Sequence, residues 1–120
     1  MDEASHDLNL SQTSLGEILT DAAGNSLYLF SNDEQGSGAS NCNGDCIAMW
    51  PAVSPISTTA EGLNADLVSS IERSDGSAQA AYNGWPLYTF VKDAGAGDTN
   101  GQGMKGVWWV IDAQGNAIGA

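Results

Sequence analysis

The chain has 120 residues, a size that suits one domain with one modest core, and fifteen acidic against three basic residues give it a net charge of −12. That balance repels phosphate backbones and anionic membrane surfaces, so nucleic acid is excluded as a partner. No apolar run approaches the ~20 residues of a spanning helix, which leaves a lipid anchor as the only membrane contact, and fifteen glycines point to a turn-rich fold rather than a helical bundle.

The start, Met1-Asp2-Glu3-Ala4-Ser5-His6-Asp7, is polar and acidic and has no signal-peptide pattern, so an exported form would be a mature one. Residues 1–13 read as a flexible leader and residues 14–120 as a single β domain. Leu15, Ile18 and Leu19 begin the apolar alternation and lead into Thr20-Asp21-Ala22-Ala23-Gly24-Asn25, a turn sequence with Gly where positive φ is expected. Residues 26–30 then form the second strand of a hairpin. Residues 31–45 hold Gly, Ser, Asn and Asp with almost nothing apolar, which makes them a long surface loop. Residues 46–50 suit one helical turn, stopped by Pro51 because it has no N–H to donate.

The middle of the chain reads as one helical turn over residues 64–67, then a hairpin of residues 67–73 and 78–82 about Asp75-Gly76. Asn83-Gly84 is another hairpin signal and leads into Trp85-Pro86-Leu87-Tyr88-Thr89-Phe90, with Pro86 at a strand start or sheet edge. Residues 94–106 are a second long loop holding five glycines. Residues 107–111 form a strongly apolar strand, closed by a turn at Ala113-Gln114-Gly115-Asn116.

One pattern occurs twice. Tyr28-Leu29-Phe30-Ser31-Asn32-Asp33 is matched sixty positions later by Tyr88-Thr89-Phe90-Val91-Lys92-Asp93, and the match runs back through Leu27 with Leu87 and Gly24 with Gly84. A duplicated structural unit explains that register. Each half reads as hairpin, aromatic strand, long polar loop and Trp-bearing segment, over about residues 14–56 and 68–115. The expectation is a mainly β protein: a small antiparallel β fold built from two related halves, with one or two short helical turns and one shared aromatic core.

Tyr28, Phe30, Tyr88 and Phe90 alternate on their strands, so each pair faces one side of its sheet. Core packing, with each hydroxyl held by a polar partner, accounts for them; a pocket for a flat ligand such as haem or a quinone is the alternative. Asp33 and Asp93 fall just after a strand, where an Asp accepts backbone N–H groups and fixes a turn. The competing use is cation capture by Asp93, Asp98, Asn100 and Gln102 in the glycine-rich loop, whose oxygens on alternate residues suit Ca²⁺ but lack the bidentate Glu of an EF-hand.

The two cysteines stand as Cys42-Asn43-Gly44-Asp45-Cys46. Zinc would need further thiolates or histidines, and the single histidine is His6. Three intervening residues suit neither a c-type haem site nor a thioredoxin-type pair. A local disulfide between Cys42 and Cys46 remains, which implies an oxidising compartment; reduced cysteines with Met49 and Met104 would instead suit Cu(I). No catalytic constellation is present, since no base accompanies the serines and no Gly-x-Ser-x-Gly elbow occurs.

The paired Tyr-x-aromatic-x-x-Asp motifs, the Cys-Asn-Gly-Asp-Cys to Met-Trp-Pro segment, Tyr82-Asn83-Gly84-Trp85-Pro86-Leu87-Tyr88, and Gly97-Asp98-Thr99-Asn100-Gly101-Gln102-Gly103 before Gly106-Val107-Trp108-Trp109 form an ordered set. Together they resemble the bacterial secreted-repeat lipoproteins with a Yx(FWY)xxD motif, over residues 14–115. The resemblance implies a periplasmic or extracellular protein, often anchored through an N-terminal cysteine that is absent here. The functional expectation is a non-enzymatic β-rich module that binds a small ligand or envelope partner and needs no cofactor. An envelope redox, metal or haem-handling protein is the alternative.

Overall fold

The computed structural model describes residues 7–95 and 97–119. The chain is mainly β, with short antiparallel strands joined by long loops. Strand β1 (Asn9–Thr13) pairs with β2 (Gly16–Thr20), with Leu10 opposite Leu19 and Ser11 opposite Ile18. Residues 7–13, expected in the leader, are therefore part of the domain, while residues 1–6 lie outside the described residues. Leu8 is fully buried, and its N–H donates to the Thr58 carbonyl. The reason is the period of two: Leu8 and Leu10 present one apolar face to the core although the segment is mostly polar.

The turn at 21–25 forms around Asp21, whose Oδ1 accepts the N–H groups of Ala23 and Asn25. Beyond it, Leu27 donates to the Leu19 carbonyl, and then the chain leaves β2. Strand β3 (Tyr28–Phe30) pairs with β7 (Trp108–Val110) from the far end of the sequence, with Tyr28 opposite Val110 and Phe30 opposite Trp108. The expected first hairpin is thus real at its turn but hands its aromatic strand to the other repeat.

Helix α1 (Asp45–Met49) ends at Trp50, before Pro51. A 3₁₀ turn, Ala65–Leu67, is capped by Asn64, whose Oδ1 accepts the Asp66 N–H, and a second spans Met104–Gly106. Strands β4 (Val68–Glu72), β5 (Ala78–Tyr82) and β6 (Trp85–Pro86) form a third small sheet in that order. The two-residue turn between β5 and β6 holds Asn83 at φ 56° and Gly84 at φ 83°, the left-handed pair that a tight hairpin requires. A side chain at Gly84 would also meet the Gly36 nitrogen at 2.8 Å, because the 31–45 loop packs there.

The expected strand over residues 85–90 is shorter. Ladder pairing stops at Pro86, which has no N–H to offer, and Tyr88 continues as an isolated bridge to Tyr28 and Ala52. The core lies in two clusters. One gathers Leu8, Leu19, Leu27, Leu29, Tyr82, Leu87 and Ile111; the other gathers Ile18, Tyr28, Trp50, Tyr88, Phe90, Trp108 and Val110. The second is the shared aromatic core, and both repeats contribute to it.

Candidate functional site

The two motif copies meet at their tyrosines. Tyr28 N–H donates to the Tyr88 carbonyl at 2.8 Å, and Tyr88 N–H donates to the Tyr28 carbonyl at 3.0 Å. This reciprocal pair relates the halves by an approximate twofold. The side chains then exchange partners: Tyr28 Oη donates to Asp93 Oδ2 at 2.6 Å, and Tyr88 Oη donates to Asp33 Oδ2 at 2.6 Å. Each tyrosine therefore caps on the aspartate of the other copy.

The remaining carboxylate oxygens fold the loops. Asp33 Oδ1 accepts the Asn41 N–H at 2.6 Å, and Asp93 Oδ1 accepts the Asn100 N–H at 2.8 Å. Asn41 Nδ2 donates to the Asn32 carbonyl, and Asn100 Nδ2 donates to the Lys92 carbonyl, so each long loop is pinned back on its own motif. Burial, reinforced by the carboxylate acceptor, holds both tyrosine hydroxyls well above the ordinary phenol value, so they remain donors. Burial also raises Asp33 above the usual carboxylate range, against the opposing pull of Tyr88, the Asn41 N–H and Arg73.

The aromatic residues form a continuous stack across the same twofold. Phe30 lies on Trp108 (4.3 Å between centroids), Trp108 on Trp50 (3.8 Å, 3° between planes) and Trp50 on Phe90 (4.0 Å). Tyr28 meets Trp50 at 79° and Tyr88 meets Trp108 at 90°. Both faces of each tryptophan are thus covered by other rings, and only ring edges remain. One edge of Trp50 is closed by Gly101, where a Cβ would lie 2.6 Å from the ring.

A groove of about 690 Å³ runs along this stack and is lined by Phe30, Trp50, Phe90 and Trp108. Met49, Met104, Val107 and Cys46 complete its apolar lining, with Asn32, Asp45, Lys92 and Lys105 at the polar positions. Both long loops reach it: Asn32 and Asp45 come from 31–45, Met104 and Lys105 from 94–106. A second hollow of about 390 Å³ is lined by Asp7, Asp21, residues 52–56 and Thr89 among others, and by none of the motif tyrosines, phenylalanines or aspartates.

The family model described as a secreted repeat of unknown function matches residues 10–54 and 69–112, which is most of the chain in two copies. The chain belongs to this family. Its two matched segments each contribute one Tyr-Phe-Asp motif and one stacked tryptophan, so the twofold site is the point where the secreted repeats join. Membership places the chain among exported proteins. No curated protein and no solved structure matches the chain.

In this secreted repeat the proposed calcium ligands each take part in hydrogen bonds that fold the loops. Asp98 Oδ2 accepts the N–H groups of Ala94 and Gly95, Gln102 bridges the Ile118 carbonyl and the Val110 N–H, and Asp93 and Asn100 are held as described above. Among the described residues no three His, Cys, Asp or Glu side chains come together in a metal-holding group. Met49 and Met104 share the groove, but the cysteine sulfurs are joined to each other, with Sγ–Sγ 2.00 Å, which removes thiolate from the copper arrangement.

The disulfide ties the 31–45 loop to α1 beside the groove, with Cys42 fully buried. Arg73 packs against it, donating to the Cys42 carbonyl, Asn43 Oδ1 and Gln79 Oε1. Replacing both cysteines by serine is expected to cost about 2 kcal/mol, the loop-closure value for so short a ring. Urea unfolding of the two proteins reads this directly, and an unchanged midpoint would remove the disulfide from the account.

Sequence reasoning missed the two stacked tryptophans as partners of each other, missed Lys92, Lys105 and Asn41, and gave Asn100 a cation-binding role rather than that of a loop clamp. One available signal was the near identity of Asp21-Ala22-Ala23-Gly24-Asn25 and Asp112-Ala113-Gln114-Gly115-Asn116. Both turns use the Asp Oδ1 to accept the same two N–H groups, at 23 and 25 and at 114 and 116.

Proposed function

We propose that the protein is a non-enzymatic binding module of the cell envelope or cell exterior, and that the groove over the aromatic stack is its binding site. The observation that carries this reading is convergence: both motif copies, both long loops and the disulfide meet at one groove. Its volume falls inside the roughly 300–1,000 Å³ of small-molecule sites, and its lining is mostly apolar with a few polar groups at the rim. Met49, at 38% exposure, is a large apolar side chain left open there. A scaffold locked by cross-repeat hydrogen bonds with its loops pinned to it is the usual arrangement for presenting a binding surface.

The test is a fluorescence titration with the neutral apolar dye N-phenylnaphthylamine. The wild type is expected to bind one equivalent, and Met49→Trp, which fills the groove from an exposed position, is expected to abolish binding while near-ultraviolet circular dichroism remains native. Binding that survives in the filled variant would move the site elsewhere. The haem- or metal-handling alternative keeps one supporting observation, the thioethers of Met49 and Met104 on the same groove. A visible absorption band after incubation with haem, lost when both methionines become leucine, would favour it.

A further inference from the structure

Among the described residues the groove collects both lysines of the chain. Three strong cations face fifteen acids in this sequence. Arg73 is buried, and its guanidinium is spent on Cys42, Asn43 and Gln79. The other two, Lys92 and Lys105, are exposed, and both line the groove, both from the second repeat. Among the described residues neither ammonium has an ion-pair partner, and Asp45 is the one acidic residue in the lining. A protein of net charge −12 thus reverses its sign at this one apolar surface.

The rings point to the same chemistry. Because Trp50 and Trp108 are stacked on both faces, a molecule in the groove meets their edges, and ring edges carry the positive end of the aromatic quadrupole. Thioether sulfur from Met49 and Met104 adds polarizable, adaptable contact for an unsaturated body. Had the site been built for a cation, open aromatic faces and carboxylates would line it instead.

We propose that the groove binds an amphiphilic organic anion, an aromatic or conjugated body whose carboxylate or sulfonate is held by Lys92 and Lys105. The assignment rests on the groove being the binding site. The anionic group sits at the lysine rim and the body lies along the ring edges and methionines. The net negative charge of the rest of the protein disfavours such a ligand elsewhere, which adds specificity by exclusion.

The experiment compares two dyes with nearly the same body, anilinonaphthalene sulfonate and neutral N-phenylnaphthylamine, on the full chain. The wild type is expected to prefer the sulfonate, with affinity that falls as salt is raised. Lys92→Gln with Lys105→Gln is expected to weaken the sulfonate about tenfold, the scale of two partly exposed ion pairs, and to leave the neutral dye unchanged. Sulfonate binding that ignores both the lysine changes and salt, yet disappears in Met49→Trp, overturns the anion assignment and keeps the site. Failure of both dyes to bind the folded wild type overturns the site itself, and the anion assignment falls with it.

Discussion

Trp108→Ala is expected to cost about 3–5 kcal/mol of folding stability, the range for removing a buried Trp or Phe. The side chain is 3% exposed, lies between Phe30 and Trp50, and meets Tyr88 edge-on, so its loss empties the middle of the stack. Trp50→Ala is expected to cost a similar amount, because the approximate twofold gives it the same three kinds of neighbour in Phe90, Trp108 and Tyr28. The double variant should lose less than the sum of the two, since the contact between the tryptophans is counted in both single changes. Against a typical domain stability of about 5–15 kcal/mol, either single change leaves a marginal protein. Trp109 provides the internal comparison: it points the other way on β7, is half-buried, and packs on the other cluster. Chemical denaturation of the three single variants decides the matter. Equal losses at 108 and 109 would mean that the stack is not the dominant core.

What was legible in the sequence was local. Asp75-Gly76 and Asn83-Gly84 locate their turns because a tight hairpin demands particular residues at left-handed positions, whatever the rest of the chain does. The repeat was legible because identity at a fixed offset needs no structure. Leu8 was not, since two leucines in a polar segment give too short an alternation to stand out, and a distant bridge to Thr59 supplies the burial. The partner exchange between motifs was also hidden. A tyrosine that caps its own Asp and one that caps the Asp of the other copy have the same residues at the same spacing. Lys92 and Lys105 look scattered on the chain because the loop that brings them to one groove is closed by Asp93, Asn100 and Asp98. Chemistry written at one position was read; chemistry assembled by folding was not.

The exchange of Tyr and Asp between the repeats makes the second prediction, in which the two halves should respond unequally. Asp33 is 3% exposed, whereas Asp93 is only half-buried. Tyr88→Phe removes the hydroxyl that donates to the buried Asp33 carboxylate and is expected to cost about 1.5–3 kcal/mol, the range for a hydrogen bond to a charged group. Tyr28→Phe should cost less, because water can replace the donor at Asp93. The pH dependence identifies the cause. The folded-state pKa of Asp33 is raised above its ordinary value of 3.8, so its contribution to stability is full below that pH and is lost as pH rises through the folded value. Tyr88→Phe takes away an interaction that lowers this pKa, so the window of loss should extend to higher pH. Asp33→Asn, which cannot ionise, should abolish this component of the pH dependence. Urea midpoints measured for the three proteins from about pH 4 upward test both points. Parallel curves for wild type and Asp33→Asn would place the acid-range titration elsewhere among the fifteen carboxylates and leave the Tyr88–Asp33 bond a neutral strut.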